Sequence, residues 1–107
     1  MNSRPLDIRL TDATEADLAE IWAYVASENS EDIANKLIAK ITAVFDRAAQ
    51  FPMGNPLRPQ LGPALRVAFS GSYAIYYLPS DSEIIVVRVL HGARDLAALI
   101  EHGGFST

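Results

Sequence analysis

The stretch Glu83–Leu90, EIIVVRVL, constrains this chain more than any other. β-Branched side chains crowd a helix but pack well on a pleated sheet. A near-continuous run of them leaves no polar face for water, so it predicts a central strand covered on much of both faces. The run is far short of the roughly 20 apolar residues that a membrane span needs. No other segment approaches that length, and the start MNSRPLDIRL lacks the basic-then-apolar order of a secretory signal. A single domain over residues 1–107 is expected, with room for one sheet and helices on one of its faces. The absence of cysteine excludes disulfides and thiolate chemistry, and a cytoplasmic location is the plain expectation.

Upstream, Pro5–Leu10 alternates, with Leu6, Ile8 and Leu10 on one face of a first strand. In TDATEADL, Asp12 with Glu15, or Thr14 with Asp17, has the spacing of a capping box at a helix start. Leu18, Ile21, Trp22 and Val25 then form a helical apolar stripe. Ser30 suits the N-cap of a second helix, whose stripe runs through Ile33, Leu37, Ile41, Val44, Phe45 and Ala48. So short a break predicts an antiparallel helical hairpin. The next 15 residues, FPMGNPLRPQLGPAL, hold four of the six prolines and read as a loop. Leu65, Val67 and Phe69 mark one face of a strand, Gly71 a tight turn, and Tyr73–Leu78 the following strand. After Glu83–Leu90 comes a polar corner, HGARD, and a short helix from Asp95 to Glu101. The order β-α-α-β-β-β-α predicts an α+β fold, a helical hairpin packed on a small antiparallel sheet.

The net charge of −4 is unevenly spread. Eight of thirteen acids fall between Asp7 and Asp32, whereas no acid lies between Arg47 and Ser80. Nucleic-acid binding usually draws a basic excess, which this chain lacks. Its arginines suit carboxylates of a peptide or protein instead, through forked pairs. Two histidines, His91 and His102, fit no usual metal spacing, and no phosphate loop or nucleophile elbow is present. Neither a cofactor nor a metal is expected.

Several pieces together resemble the ParE branch of the RelE/ParE toxin superfamily, from bacterial type II toxin–antitoxin pairs. They are ADLAEIWAYVA (16–26), FPMGNPLRPQL (51–61), LRVAFSGSYAIYYL (65–78) and, most specifically, IIVVRVLHGARDLAALI (84–100). The resemblance implies a small toxin neutralised by a ParD-like antitoxin, whose ribbon-helix-helix part binds operator DNA and whose disordered tail folds onto the toxin. Operator DNA would then be met only through the antitoxin, and no membrane would be involved. ParE-like members are associated with inhibition of DNA gyrase without a hydrolytic site of their own. RelE-like members cut messenger RNA on the ribosome, and a third possibility is a harmless partner serving as co-repressor. RelE-like nucleases carry an arginine after Gly-Tyr in the middle strand; here Ala74 stands there, although Arg94 matches their arginine after the last strand.

On this reading, Trp22 and Tyr77 are expected to line a groove for the antitoxin tail, with Arg58, Arg66, Arg88 and Arg94 set against its carboxylates. Leu96, Leu99, Ile100 and Phe105 are the expected target-binding surface. Strict alternation would put Arg88 on the face of Ile84, Val86 and Leu90, where its tip needs a carboxylate. That carboxylate could be Asp7, an acid of the first helix, or one from the antitoxin. His91 is expected to be hydrogen-bonded across the corner, Asp95 to cap the last helix, and Gly92 to permit the turn.

Overall fold

The computed structural model describes residues 4–101. Its elements are β1 (Asp7–Leu10), α1 (Asp12–Glu28), α2 (Glu31–Gln50), β2 (Arg66–Ser70), β3 (Tyr73–Pro79), β4 (Glu83–His91) and α3 (Gly92–Glu101), in the order expected. The four strands form one sheet in the order β1-β4-β3-β2. β2, β3 and β4 are antiparallel neighbours, but β1 pairs parallel with β4, so the sheet is mixed rather than wholly antiparallel. The helical hairpin explains the difference. α1 carries on along β4, and α2 returns the chain to where it began, with the Leu6 N–H donating to the Ala49 carbonyl at 3.0 Å. Three strands later, β4 runs beside β1 in the same direction.

Both faces of β4 are covered, as its composition requires. On the helix side, Ile84, Val86 and Val89 pack with Ile41, Phe45, Ala48, Ile75 and Tyr77. On the other face, Val87 and Leu90 pack with Leu65, Val67, Ala74 and Tyr76, helped by Leu61 from the proline-rich loop. A bulge makes this division possible. Tyr76 pairs with Arg88 while Tyr77 pairs with Val86, so Val87 is the extra residue. The alternation therefore breaks, and Ile84 and Val86 do not share a face with Leu90, contrary to the simple period-2 reading. Phe69 also departs from expectation: Leu65 and Val67 are buried, but Phe69 near the end of the edge strand is 60% exposed.

β1 covers only the first four residues of β4, and α1 closes the edge beyond it. The N-cap is Thr11, ahead of both Asp12 and Thr14, the two starts that the capping-box spacing offers. Its hydroxyl oxygen accepts the Thr14 N–H at 3.1 Å and donates to the Val87 carbonyl at 2.9 Å. Thr14, wholly buried, donates its hydroxyl to the Val86 carbonyl at 2.7 Å. These bonds replace the strand partner that β1 is too short to supply. Thr14→Val keeps the shape and deletes this donor, so a loss of about 1–2 kcal/mol is expected in urea unfolding. A change within a few tenths would show that the edge is closed by the backbone alone.

α2 begins at Ser30 as expected, the side chain accepting the Ile33 N–H. α3 begins at Gly92, three residues ahead of the predicted start. Asp95 is therefore inside the first turn rather than at the cap, and its carboxylate reaches back to accept the His91 N–H at 2.9 Å. Gly92 takes a φ of +60°, the left-handed region, which is why a glycine stands at the joint. Among the described residues, no helix is long and apolar enough to cross a membrane.

Candidate functional site

α1, the ends of β3 and β4, and α3 enclose an open groove of about 640 Å³. Glu20, Ile21 and Tyr24 come from α1, Tyr73 and Leu90 from the sheet, and Ala98 from α3. Its base is the pair of Asp17 and Arg88. Asp17 Oδ1 and Oδ2 each accept from the Arg88 guanidinium at 2.8 Å, and Oδ2 also accepts the Val89 N–H at 2.9 Å. The Asp17 side chain is 9% exposed and that of Arg88 27%. Of the partners left open for Arg88, the acid of the first helix is thus the one it has. The Asp17 bond holds the guanidinium above its ordinary pKa against the opposing effect of burial, and the fields of Asp95 and Glu20 add to it.

Local chemistry explains how this base is built. An antiparallel edge leaves every second amide unpaired, and Val89 and His91 are two such amides on β4. A carboxylate closes each one, Asp17 from α1 and Asp95 from α3. At the rim, the His91 ring meets Tyr73 edge-on, with centroids 5.0 Å apart. The imidazole packs against an aromatic, and it is the backbone N–H of His91, not its ring, that bonds across the corner. Burial pushes the Tyr73 phenol up, with smaller contributions from Asp95 and Tyr24.

The residues expected at the antitoxin surface are not brought together. Only Arg88 lines this groove among those whose side chains are described. Trp22 is half-buried and ties the helical hairpin, its indole N–H donating to Asn35 Oδ1 at 2.8 Å. Arg66 holds the proline-rich loop through the carbonyls of Asn55 and Met53, and Arg58 donates to the Leu57 carbonyl. Tyr77 corrects the sequence reading most sharply. It is 0% exposed, donates its hydroxyl to the Pro52 carbonyl and accepts from Asn55 Nδ2, so it fastens the loop from inside and lines no groove. The side chains of Arg94, Leu96 and Leu99, and all of Phe105, lie outside the described residues. Ile100 is 51% exposed on α3, a helix that packs chiefly on β4.

Sequence reasoning missed Asp17, Glu20, Tyr24 and Tyr73 as groove residues. A signal existed: Asp17 stands four residues before Ile21, at the margin of the α1 stripe, where an acid is costly unless paired. Joined to the need of Arg88 for a carboxylate, that spacing picks Asp17 from the acids of α1. Among the described residues, no cluster of histidine or acidic side chains could hold a metal ion.

Comparison with known proteins agrees with this architecture. Toxin ParE1 of Mycobacterium tuberculosis is 32% identical over 97 residues, covering 90% of this chain and 96% of that protein. Toxin ParE3 of Caulobacter vibrioides is 27% identical over 88 residues, covering 82% and 88%. The fold also matches a chain of the chromosomal ParDE system of P. aeruginosa, with a TM-score of 0.72 at 18% identity over 81% of this chain and 96% of that one. A chain of the RelBE2 toxin–antitoxin complex of Mycobacterium tuberculosis matches with a TM-score of 0.60 at 22% identity, over 86% and 97%. The family description "ParE toxin of type II toxin-antitoxin system" fits residues 8–96. The chain belongs to the ParE toxin family of type II toxin–antitoxin systems.

Proposed function

We propose that this ParE-family toxin acts by binding, inhibits DNA gyrase, and is neutralised by a ParD-like antitoxin whose tail folds into the groove between α1, β4 and α3. The observation that carries the docking role is the groove itself, an open concavity of about 640 Å³ with Tyr24, Tyr73, Ile21 and Leu90 on its walls. Clefts that combine aromatic walls with a few fixed charges suit a folded-on-binding segment, which supplies apolar anchors at helical spacing. The structural neighbours come from the ParDE and RelBE2 toxin–antitoxin systems, which favours an antitoxin as the occupant. Gyrase as target rests on the family relationship.

A binding mode of action also suits the sheet. Ala74, at the position where RelE-like nucleases carry an arginine, is 4% exposed and packs with Val67 and Leu90 in the second apolar cluster. An arginine at that point would need room the cluster does not have.

The test is expression of the chain without antitoxin, paired with a supercoiling assay of purified gyrase. Filamentous cells, DNA damage and dose-dependent loss of supercoiling, each relieved by the antitoxin, are expected while translation initially continues. Early arrest of protein synthesis with cleaved messages, and gyrase untouched, would transfer the chain to the nuclease reading.

A further inference from the structure

The charge of the groove points to an occupant opposite to the one the arginines suggest. We propose that the segment seated in this groove brings an arginine, flanked by apolar residues, toward Glu20. The proposal rests on the docking role assigned to the groove and specifies the chemistry of its partner.

Arg88 is the only cation among the groove residues whose side chains are described. Both guanidinium donors that face Asp17 are engaged at 2.8 Å, in the forked geometry that arginine and carboxylate favour. A carboxylate arriving from a partner would have to compete with Asp17, which is itself locked by the Val89 N–H. With that pair neutral, the remaining acids of the lining are Glu20 and Asp95; Asp95 is already engaged, so the open charge is that of Glu20. Both act on Arg88, and Asp95 also acts on Tyr73, so their charges reach the floor and the rim of the groove. Glu20 is exposed and has no ion-pair partner among the described residues.

The backbone and the aromatics lean the same way. The amides of Val89 and His91 are already taken by carboxylates. On an antiparallel strand a residue turns its carbonyl to the same side as its N–H, so Val89 directs an acceptor toward α1 and the groove. Tyr24 is 66% exposed, and Tyr73 is half-buried beside His91, giving ring faces at the rim. Carboxylates, a carbonyl and ring faces are all partners for a donor-rich cation. Arginine fits them better than lysine, because its planar fork can bond a carboxylate and lie on a ring at once.

The experiment is calorimetric titration of the full chain with the purified antitoxin encoded beside it, at low salt. The variants are Glu20→Gln, Glu20→Lys and Tyr24→Ala, each checked for an unchanged melting temperature. Roughly threefold weaker binding is expected for Glu20→Gln and at least roughly tenfold for Glu20→Lys, since an opposed charge at an interface repels. An acidic occupant reverses the sign: Glu20→Lys would bind as well or better, and the proposal would be overturned. In that case a loss with Tyr24→Ala would leave the groove as docking site and remove only the arginine. If Glu20→Lys and Tyr24→Ala both bind as the parent does, the docking role falls with the proposal.

Discussion

Asp17→Ala is expected to lower the stability of the domain by about 3–5 kcal/mol, the cost of removing one member of a buried ion pair. The Asp17 carboxylate serves three donors at once, two from Arg88 and the N–H of Val89. Its loss strands a partly buried guanidinium and opens a backbone amide of the central strand. Domains of this size hold about 5–15 kcal/mol in total, so the variant would be marginal at 37 °C. Removing both charges tells the cause apart. Asp17→Ala combined with Arg88→Met should recover part of the loss, since no charge then remains buried, while the unpaired Val89 N–H persists. Urea unfolding of the two variants decides the matter, with hydrogen exchange at Val89 reporting the opened amide. A loss below about 1 kcal/mol for Asp17→Ala would show that solvent reaches Arg88 freely. The same geometry makes Arg88→Glu a folding lesion, because it sets two carboxylates together, and unsuitable as a probe of the partner.

Tyr77→Ala is expected to cost a similar amount, about 3–5 kcal/mol, by opening a cavity under β2 and the proline-rich loop. Tyr77→Phe isolates the hydroxyl. It leaves the Pro52 carbonyl without its donor and Asn55 without its acceptor, so about 1–2 kcal/mol should be lost. Because the ring is fully enclosed, Tyr77→Phe should bind antitoxin as the parent does when both are measured well below the melting point. A tenfold loss of affinity with an unchanged melting temperature would return Tyr77 to the binding surface where sequence reasoning put it.

Much of the fold was legible because each element has a local cause. The doubly apolar strand Glu83–Leu90, the Ser30 cap and the two helical stripes all pointed to the architecture seen. What escaped was set by tertiary register. The bulge at Val87 cannot be read from a run of β-branched residues, yet it decides which side chains share a face. Thr11 became the cap because it also reaches the Val87 carbonyl, a partner 76 positions away in the chain. Charge and aromaticity alone put Tyr77, Arg58 and Arg66 on a surface, because they do not say where the loop lies. Arg66 and Tyr77 are instead the two fasteners of that loop, one from outside and one from within.

The pairing of β1 with β4 has a kinetic consequence. Contacts that join distant parts of a chain form late, since loop-closure entropy is spent before they yield any return. Until then the outer edge of IIVVRVL, a segment of high β-propensity with a single charge, lies open, and such edges self-associate. Asp17 and Arg88 are joined across 71 positions, a contact of the same distant kind, so the groove is expected to form late, together with that edge of the sheet. A partner that reads only the groove is then expected to capture the folded molecule rather than the nascent chain.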